Sequence, residues 1–330
     1  MNLATTYMGF ELPHPLVPGA SPQTESLDAV RRLEDAGAPL IVMHSLFEEQ
    51  VVREEVNLTR AIETPKESYA EALSYFPEPD ELALGPDDYL EQVRRVKAAV
   101  GVPVIGSLNG TTPGGWLRYA RLIEQAGADG LELNLYELAI EPDETGAAVE
   151  RRELEVVRAV KAAVRIPVAV KLSPFYSSIT NFARELDEAG ADALVLFNRF
   201  YQPDIDVEQQ ELLRVNLSSP AELLLRLRWV GVLSGRVRPS LAVTGGVHTA
   251  IDVVKAVMAG AHVTQMVSAL LRHGPDHLRQ VLLDLGRWLE EHEFESLRQM
   301  QGSMSLLRCG DPASYRRANY ARLLQSWRLE

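Results

Sequence analysis

The chain has 330 residues, 46% hydrophobic and 24% charged, with a formal net charge of −13. That length suits one barrel of alternating strands and helices, and the composition is that of a globular protein. The acidic balance argues against nucleic acid or an anionic membrane as main partner, and one cysteine, Cys309, excludes an internal disulfide and a cysteine metal cluster.

The opening MNLATTYMGF has no basic region followed by an apolar run, and no stretch reaches about 18 uninterrupted apolar residues. The expectation is a cytoplasmic protein without a membrane segment, and no metal site is read. Met1 to Leu12 is expected as a short hairpin across the bottom of a barrel.

From there the chain repeats. Four segments share a helix end, an Ala-Gly-Ala corner and an apolar strand: DAGAPLIVM from Asp35, QAGADGLEL from Gln125, EAGADALVL from Glu188 and MAGAHVTQM from Met258. Three others share a helix end, a proline and an apolar strand: VGVPVIGS from Val100, VRIPVAVK from Val164 and VRPSLAVT from Val237. The two types alternate, and PLVPG from Pro15 supplies the first strand. Eight strands follow, centred near Val17, Ile41, Val104, Leu131, Ala169, Leu194, Ala242 and Val263. Eight strand–helix units predict a closed parallel (β/α)8 barrel of the TIM type. Residues 1–330 are read as one domain, with 290–330 as a C-terminal helical extension whose arginines, among them Arg308 and Arg316, form a solvated face. Long loops are expected after strand two (Ser45 to Gly85) and strand six (Asn198 to Ser219). Both leave from the C-terminal strand ends, where such barrels build their sites.

Polar residues mark where the apolar strands stop. They are Ala20-Ser21, His44-Ser45, Ser107 to Asn109, Glu132 to Asn134, Lys171, Asn198, Thr244 to Gly246 and Ser268. A lysine on a buried strand requires an anionic partner or an electron-rich ligand. Lys171 therefore either pairs with Glu132 inside the mouth or meets such a ligand. Asn109 and Asn134 offer amide donors and acceptors at the same level, a set that suits the urea-like edge of a flavin. After strand seven, Gly245-Gly246 precedes a helix that opens at Thr249 with Asp252 three residues on. A glycine turn before a helix N-terminus is a natural phosphate seat, though it also serves as a plain tight turn.

These stretches resemble the dihydroorotate dehydrogenase family of FMN-containing barrels. The matching segments are HPLVPGAS, VIGSLNG, GADGLELNLY, VAVKLSP and AVTGGVHTAIDVVKAVMAGAHVTQMVSAL, in family order, over roughly Leu12 to Leu285. The resemblance implies FMN. Ala20 and Ser21 would lie near the ring, Asn109, Asn134 and Lys171 on its polar edge. His44-Ser45 and Asn198 stand at flavin-contacting positions. Gly245, Gly246 and the Ser268-Ala269 turn would hold the phosphate, with Ser218-Ser219 where the family has a glycine pair. It also implies hydride exchange between a CH–CH bond of a small substrate and the flavin, as in oxidation of dihydroorotate in pyrimidine biosynthesis. The family's strand-four loop continues with a Cys or Ser base; here Glu137 occupies that place, Ala139 replaces the next substrate asparagine, and Tyr136 is a weaker base. The loop after strand two reads SYFPEPDE instead of the family's asparagine-rich loop. Four readings stay open: dihydroorotate dehydrogenase, a related flavin reductase with another substrate, a flavin-free phosphate-binding aldolase or isomerase with Lys171 as Schiff base, and a non-catalytic FMN-binding subunit. Besides a small-molecule substrate, an electron-transfer partner protein and a homodimer are compatible expectations.

Overall fold

A computed structural model describes residues 1–48, 86–110, 113–135, 137, 139–199, 204–213, 217–315, 320 and 324–326. The SYFPEPDE loop, Tyr136 and Arg316 fall outside these residues.

The N-terminal strands β1 (Thr5–Tyr7) and β2 (Phe10–Leu12) form the expected hairpin. Eight parallel strands follow: β3 (Leu16–Pro18), β4 (Ile41–Phe47), β5 (Val104–Asn109), β6 (Gly130–Asn134), β7 (Val168–Leu172), β8 (Ala193–Leu196), β11 (Ser240–Thr244) and β12 (Val263–Met266). Their order in the sheet is β3-β12-β11-β8-β7-β6-β5-β4, and the end strands β3 and β4 lie against each other. All eight predicted strand centres fall on these strands. The interval after β8 holds a small antiparallel hairpin, β9 (Asp204–Asp206) with β10 (Glu211–Leu213), where only a loop was expected. Asp206 accepts hydrogen bonds from the backbone N–H groups of Glu208 and Gln209, which closes its turn.

The helices between the strands are α1 (Leu27–Asp35), α2 (Pro86–Ala99), α3 (Pro113–Gln125), α4 (Gly146–Ala163), α5 (Ile179–Glu188), α6 (Leu223–Leu233), α7 (Ala250–Ala259), α8 (Ser268–His273) and α9 (Asp276–Glu291). Among the described residues, none is long and apolar enough to cross a membrane. Beyond Glu291, α10 (Leu297–Met300) buries Leu297 and Met300 in the core, and Gly302 and Met304 donate backbone bonds to Val257 and Met258 at the end of α7.

Strand side chains alternate between two cores. Outward residues such as Ile41, Val104, Leu131, Val170, Leu194 and Val243 pack under the helices. Inward residues Val17, Val42, Ile105, Ala169, Ala193, Ala242 and Val263 fill the barrel bottom, and Tyr7, Met8 and Leu12 of the hairpin plug it. One or two steps further along the same inward rows, the residues become polar: Ser107, Glu132, Asn134, Lys171 and Gln265, all buried. The interior is thus apolar below and polar at the mouth.

The Ala-Gly-Ala corners have a second job. After three of the four corners, the next residue accepts from, and donates to, the backbone near the start of the preceding strand; after the first it is Pro39, which has no N–H to give. Asp129 does so to Val104 at 2.8 Å in both directions. Asp192 does so to Val168 at 2.7 and 2.8 Å, and His262 to Leu241 at 2.9 and 2.7 Å. Lys97 and Lys161 complete the two acidic corners with ion pairs.

Candidate functional site

The polar mouth is organised around Glu132. Its carboxylate accepts from Lys171 Nζ at 3.1 Å and from Gln265 Nε2 at 2.7 Å, and all three residues are buried. The pairing of Lys171 with Glu132 weighed from the sequence is therefore present. It leaves the lysine on the wall of a cavity rather than hiding it. That cavity is lined by Ala20, Lys171, Phe197, Asn198, Arg199, Leu217, Ser218, Thr244, Gly245, Gly246, Val247, Gln265, Val267 and Ser268. It brings together seven of the expected cofactor residues, from Ala20 at the end of β3 to Ser268 after β12. Asn198 is fixed there by its N–H bond to Leu172 O at 2.7 Å.

A second cluster adjoins it. Asn134 pairs in register with Lys171, and its Nδ2 donates to Ser107 Oγ at 2.9 Å and Leu108 O at 3.2 Å. Ser45 Oγ lies 2.8 Å from Ser107 Oγ. Asn109 sits one inward step above Ser107, and its buried Oδ1 has no hydrogen-bond partner among the described residues.

His44 behaves differently from its expected role. The register of β4 shifts between Val42 and Ser45, so Ser45 takes the inward place beside Ser107. His44 instead donates its N–H to Thr24 Oγ1 at 2.5 Å and sets its ring edge-on to Tyr89, with centroids 5.0 Å apart. Burial pulls its imidazole down to about 4, so it is neutral near pH 7. Ser21 is buried at the start of a short 3-10 turn, and Ala269 is buried in the core inside α8.

The glycine turn needs one correction. The N–H groups of His248 and Thr249 at the opening of α7 are taken by Asp252 Oδ2, at 3.0 and 2.9 Å. A carboxylate of the chain itself thus fills the positive end of that helix, and it is not open to a phosphate. What remains is the turn. Gly245 and Gly246 both have positive φ, +88° and +82°. Gly246 N–H makes only a long 3.3 Å bond to Ser218 Oγ, whose own hydroxyl donates to Ser268 Oγ at 2.7 Å.

Glu137 lies outside this cavity. It is partly exposed and ion-paired with Arg152 of α4, which also holds Glu144 at 2.6 Å. It lines a separate rim pocket with Ala139, Glu150, Glu153, Ser173, Phe175 and Tyr176. There Glu153 is only 6% exposed, and burial pushes its carboxyl up to about 7, an effect tempered by the Tyr176 hydroxyl beside it. Sequence reasoning missed Glu153, which sits in the charged run Glu150 to Glu153 and reads as helix surface. It also missed Gln265, whose inward place in VTQM was the available signal.

A model of the dihydroorotate dehydrogenase family matches residues 82–289. The chain belongs to the dihydroorotate dehydrogenase family. It is similar to the dihydroorotate dehydrogenase B (NAD(+)) catalytic subunit of Thermoplasma acidophilum, 29% identical over 66% of this chain and 73% of that protein. It is 33% identical to a putative dihydroorotate dehydrogenase A (fumarate) of Aeropyrum pernix, over 61% and 67% of the two chains. A Methanocaldococcus jannaschii catalytic subunit is 26% identical over 88% of this chain and 95% of its own length. As a member of this family the chain is an FMN-dependent oxidoreductase acting on a small molecule, which disfavours the aldolase reading and the non-catalytic one. The mouth fits that cofactor. The buried Asn109 acceptor, which has no partner among the described residues, the Lys171 ammonium and a turn of two bare glycines suit a polar ring edge at one end and a phosphate at the other.

Proposed function

We propose that the enzyme transfers hydride between FMN and a CH–CH bond of a small cyclic substrate in the mouth of the barrel. The observation that supports it best is the placement of Lys171 and the Gly245–Gly246 turn on the walls of one cavity. FMN, when bound, supplies the two-electron chemistry. In this reading Lys171, held by Glu132, would set a fixed positive charge at the pyrimidine edge, where negative charge gathers on reduction. Asn109, Asn134 and Asn198 would orient the ring, with Ala20, Ser21 and Ser45 beside it. Ser218, Gly245, Gly246 and Ser268 would seat the phosphate, with Ala269 behind them.

Removal of hydride from one carbon requires a group for the proton on its neighbour. Glu137, three residues after Asn134, takes that role in this proposal, with Arg152 fixing its direction. Glu137 and Ala139 replace the family's base and substrate asparagine, so the reading covers both dihydroorotate and a related small cyclic compound as substrate. Residues 1–330 act as one catalytic domain. The "catalytic subunit" names of the relatives favour an electron-transfer partner protein, and a homodimer and a cytoplasmic setting belong to the same reading.

Anaerobic mixing with dihydroorotate and a panel of other dihydropyrimidines, followed by flavin absorbance, tests this. Bleaching by at least one compound is expected, and Glu137→Gln should slow it at least about a hundredfold while retaining FMN. A flavin that no CH–CH compound bleaches would sink the reading.

A further inference from the structure

Arg226, on the second turn of α6, is only 5% exposed. Its Nε donates to Thr244 O at 2.9 Å and its Nη1 to Glu222 O at 2.8 Å. The carboxylate paired with it, Glu222, stays 3.9 Å from Nη2 and also stands 3.8 Å from Arg199. A buried guanidinium without a closely bound carboxylate is costly, because desolvation is offset only by good counter-charges. The guanidinium packs flat against Gly245. A Cβ built there would lie 2.8 Å from Nη2 and 3.1 Å from Cζ. Gly245 is therefore glycine for two reasons: its left-handed φ and the arginine behind it.

Thr244 C=O and Gly245 N–H belong to one planar peptide and point in opposite directions. The bond from Arg226 to that carbonyl fixes the plane and polarises the N–H on its far side. The cavity wall at this point is Thr244, Gly245, Gly246, Ser218 and Ser268, with no carboxylate among them.

We propose that Arg226 is the buried counter-charge that makes this seat select a phosphate-bearing flavin over riboflavin, acting through the Thr244–Gly245 peptide as a positioning residue. The inference rests on the reading that FMN's phosphate lies at this turn. It also gives the arginine a second anion besides Glu222, which stays 3.9 Å away and is shared with Arg199. An arginine suits the role because it is always charged and its fork holds two carbonyls at once.

The test measures the affinities of apo-protein for FMN and for riboflavin by flavin fluorescence, with the melting temperature of each apo-variant as a fold control. The wild type should prefer FMN. Arg226→Met should cut that preference at least tenfold through FMN alone, with riboflavin affinity unchanged. Arg226→Gln, which keeps a donor for Thr244 O but no charge, should do the same and replaces the Met variant if that does not fold. Arg226→Lys should restore much of the preference. A folded neutral variant with the wild-type FMN-to-riboflavin ratio overturns the role of Arg226 and leaves the FMN reading standing. Equal losses for both flavins would show a structural role and overturn it likewise. A wild type that binds FMN no better than riboflavin overturns the placement of the phosphate and the inference with it.

Discussion

In the barrel mouth, buried charge is matched by the neighbouring strand. Lys171 of β7 meets Glu132 of β6, and Gln265 of β12 caps the other carboxylate oxygen. At the rim, two or three residues beyond the strands, charge is handled by side chains on a loop and a helix. Glu137 and Glu144 share Arg152 in partial contact with solvent, and the buried Glu153 beside them is raised to about 7, with no ion pair of its own among the described residues. The mouth is fixed by backbone register, so its residues are interdependent. The rim is set by side chains on separate elements, which can change one at a time. In the proposed reading, that difference would let a substrate side at the rim depart from the family pattern beside an FMN seat in the mouth that keeps it.

The largest effect on cofactor binding should come from the turn at the mouth. Gly246→Ala puts a Cβ 2.5 Å from Leu223 N, in a backbone conformation that alanine resists. FMN affinity should fall at least about a hundredfold, the roughly 3 kcal/mol expected for strain plus a displaced phosphate contact. Equilibrium dialysis of flavin measures it, and an alanine variant that keeps its FMN would show that the turn has room to spare.

Next comes the interdependence of the mouth. Lys171→Met leaves Glu132 buried without its cation and should cost about 3–5 kcal/mol of apo-protein stability. Adding Glu132→Gln should recover most of that loss in urea unfolding. Additive losses in the double variant would mean that the two residues are not a coupled pair.

The smallest effects set mouth against rim through pH. His44 is held near 4 in the fold against 6.5 in the open chain, so the folded state binds fewer protons in between. Stability is full above about 6.5 and falls as pH drops toward 4, by about 3 kcal/mol at most. Glu153 runs the other way. Its folded value, about 7 against 4.5, makes the fold bind more protons, so stability falls as pH rises from 4.5 through 7. Glu153→Gln should therefore stabilise the protein at pH 8, by about 3 kcal/mol at most, and be neutral below 4.5. His44→Gln should flatten the acid limb only. Denaturant midpoints across pH 4 to 8 separate the two, and a Gln variant of Glu153 no more stable at pH 8 than at pH 4.5 would show the carboxyl to be solvated.

The strand positions were legible because the Ala-Gly-Ala and proline corners recur with the barrel's own period. Lys171 was legible because a cation in VAVKLSP has no solvent to reach. Arg226 was not, since LLLRLRWVGVL reads as a helix with its arginines outside, and only the packing of α6 against Gly245 turns one inward. The shift in β4 that turns His44 toward Thr24 and Tyr89 has no local signature in IVMHSLF. The pairing of Glu137 with Arg152 spans 15 residues and depends on where α4 begins.

The corner residues Asp129, Asp192 and His262 each bind the strand just before their own. They join β5 to β6, β7 to β8 and β11 to β12 at the end of the barrel away from the mouth. The alternate neighbours are joined by acidic residues at the ends of the helices that lead into the corners: Glu34 accepts from Gly101 N–H at 2.7 Å, Glu124 from Arg165 N–H at 2.7 Å and Asp187 from Arg238 N–H at 3.0 Å. They join β4 to β5, β6 to β7 and β8 to β11, so the two sets alternate and lace the bottom of the barrel from β4 round to β12. The end of the molecule away from the mouth is therefore a continuous belt, in which each carboxylate secures the chain entering the next strand. In native-state hydrogen exchange, Asp192→Ala should deprotect Val168 before Arg238, and Asp187→Ala the reverse.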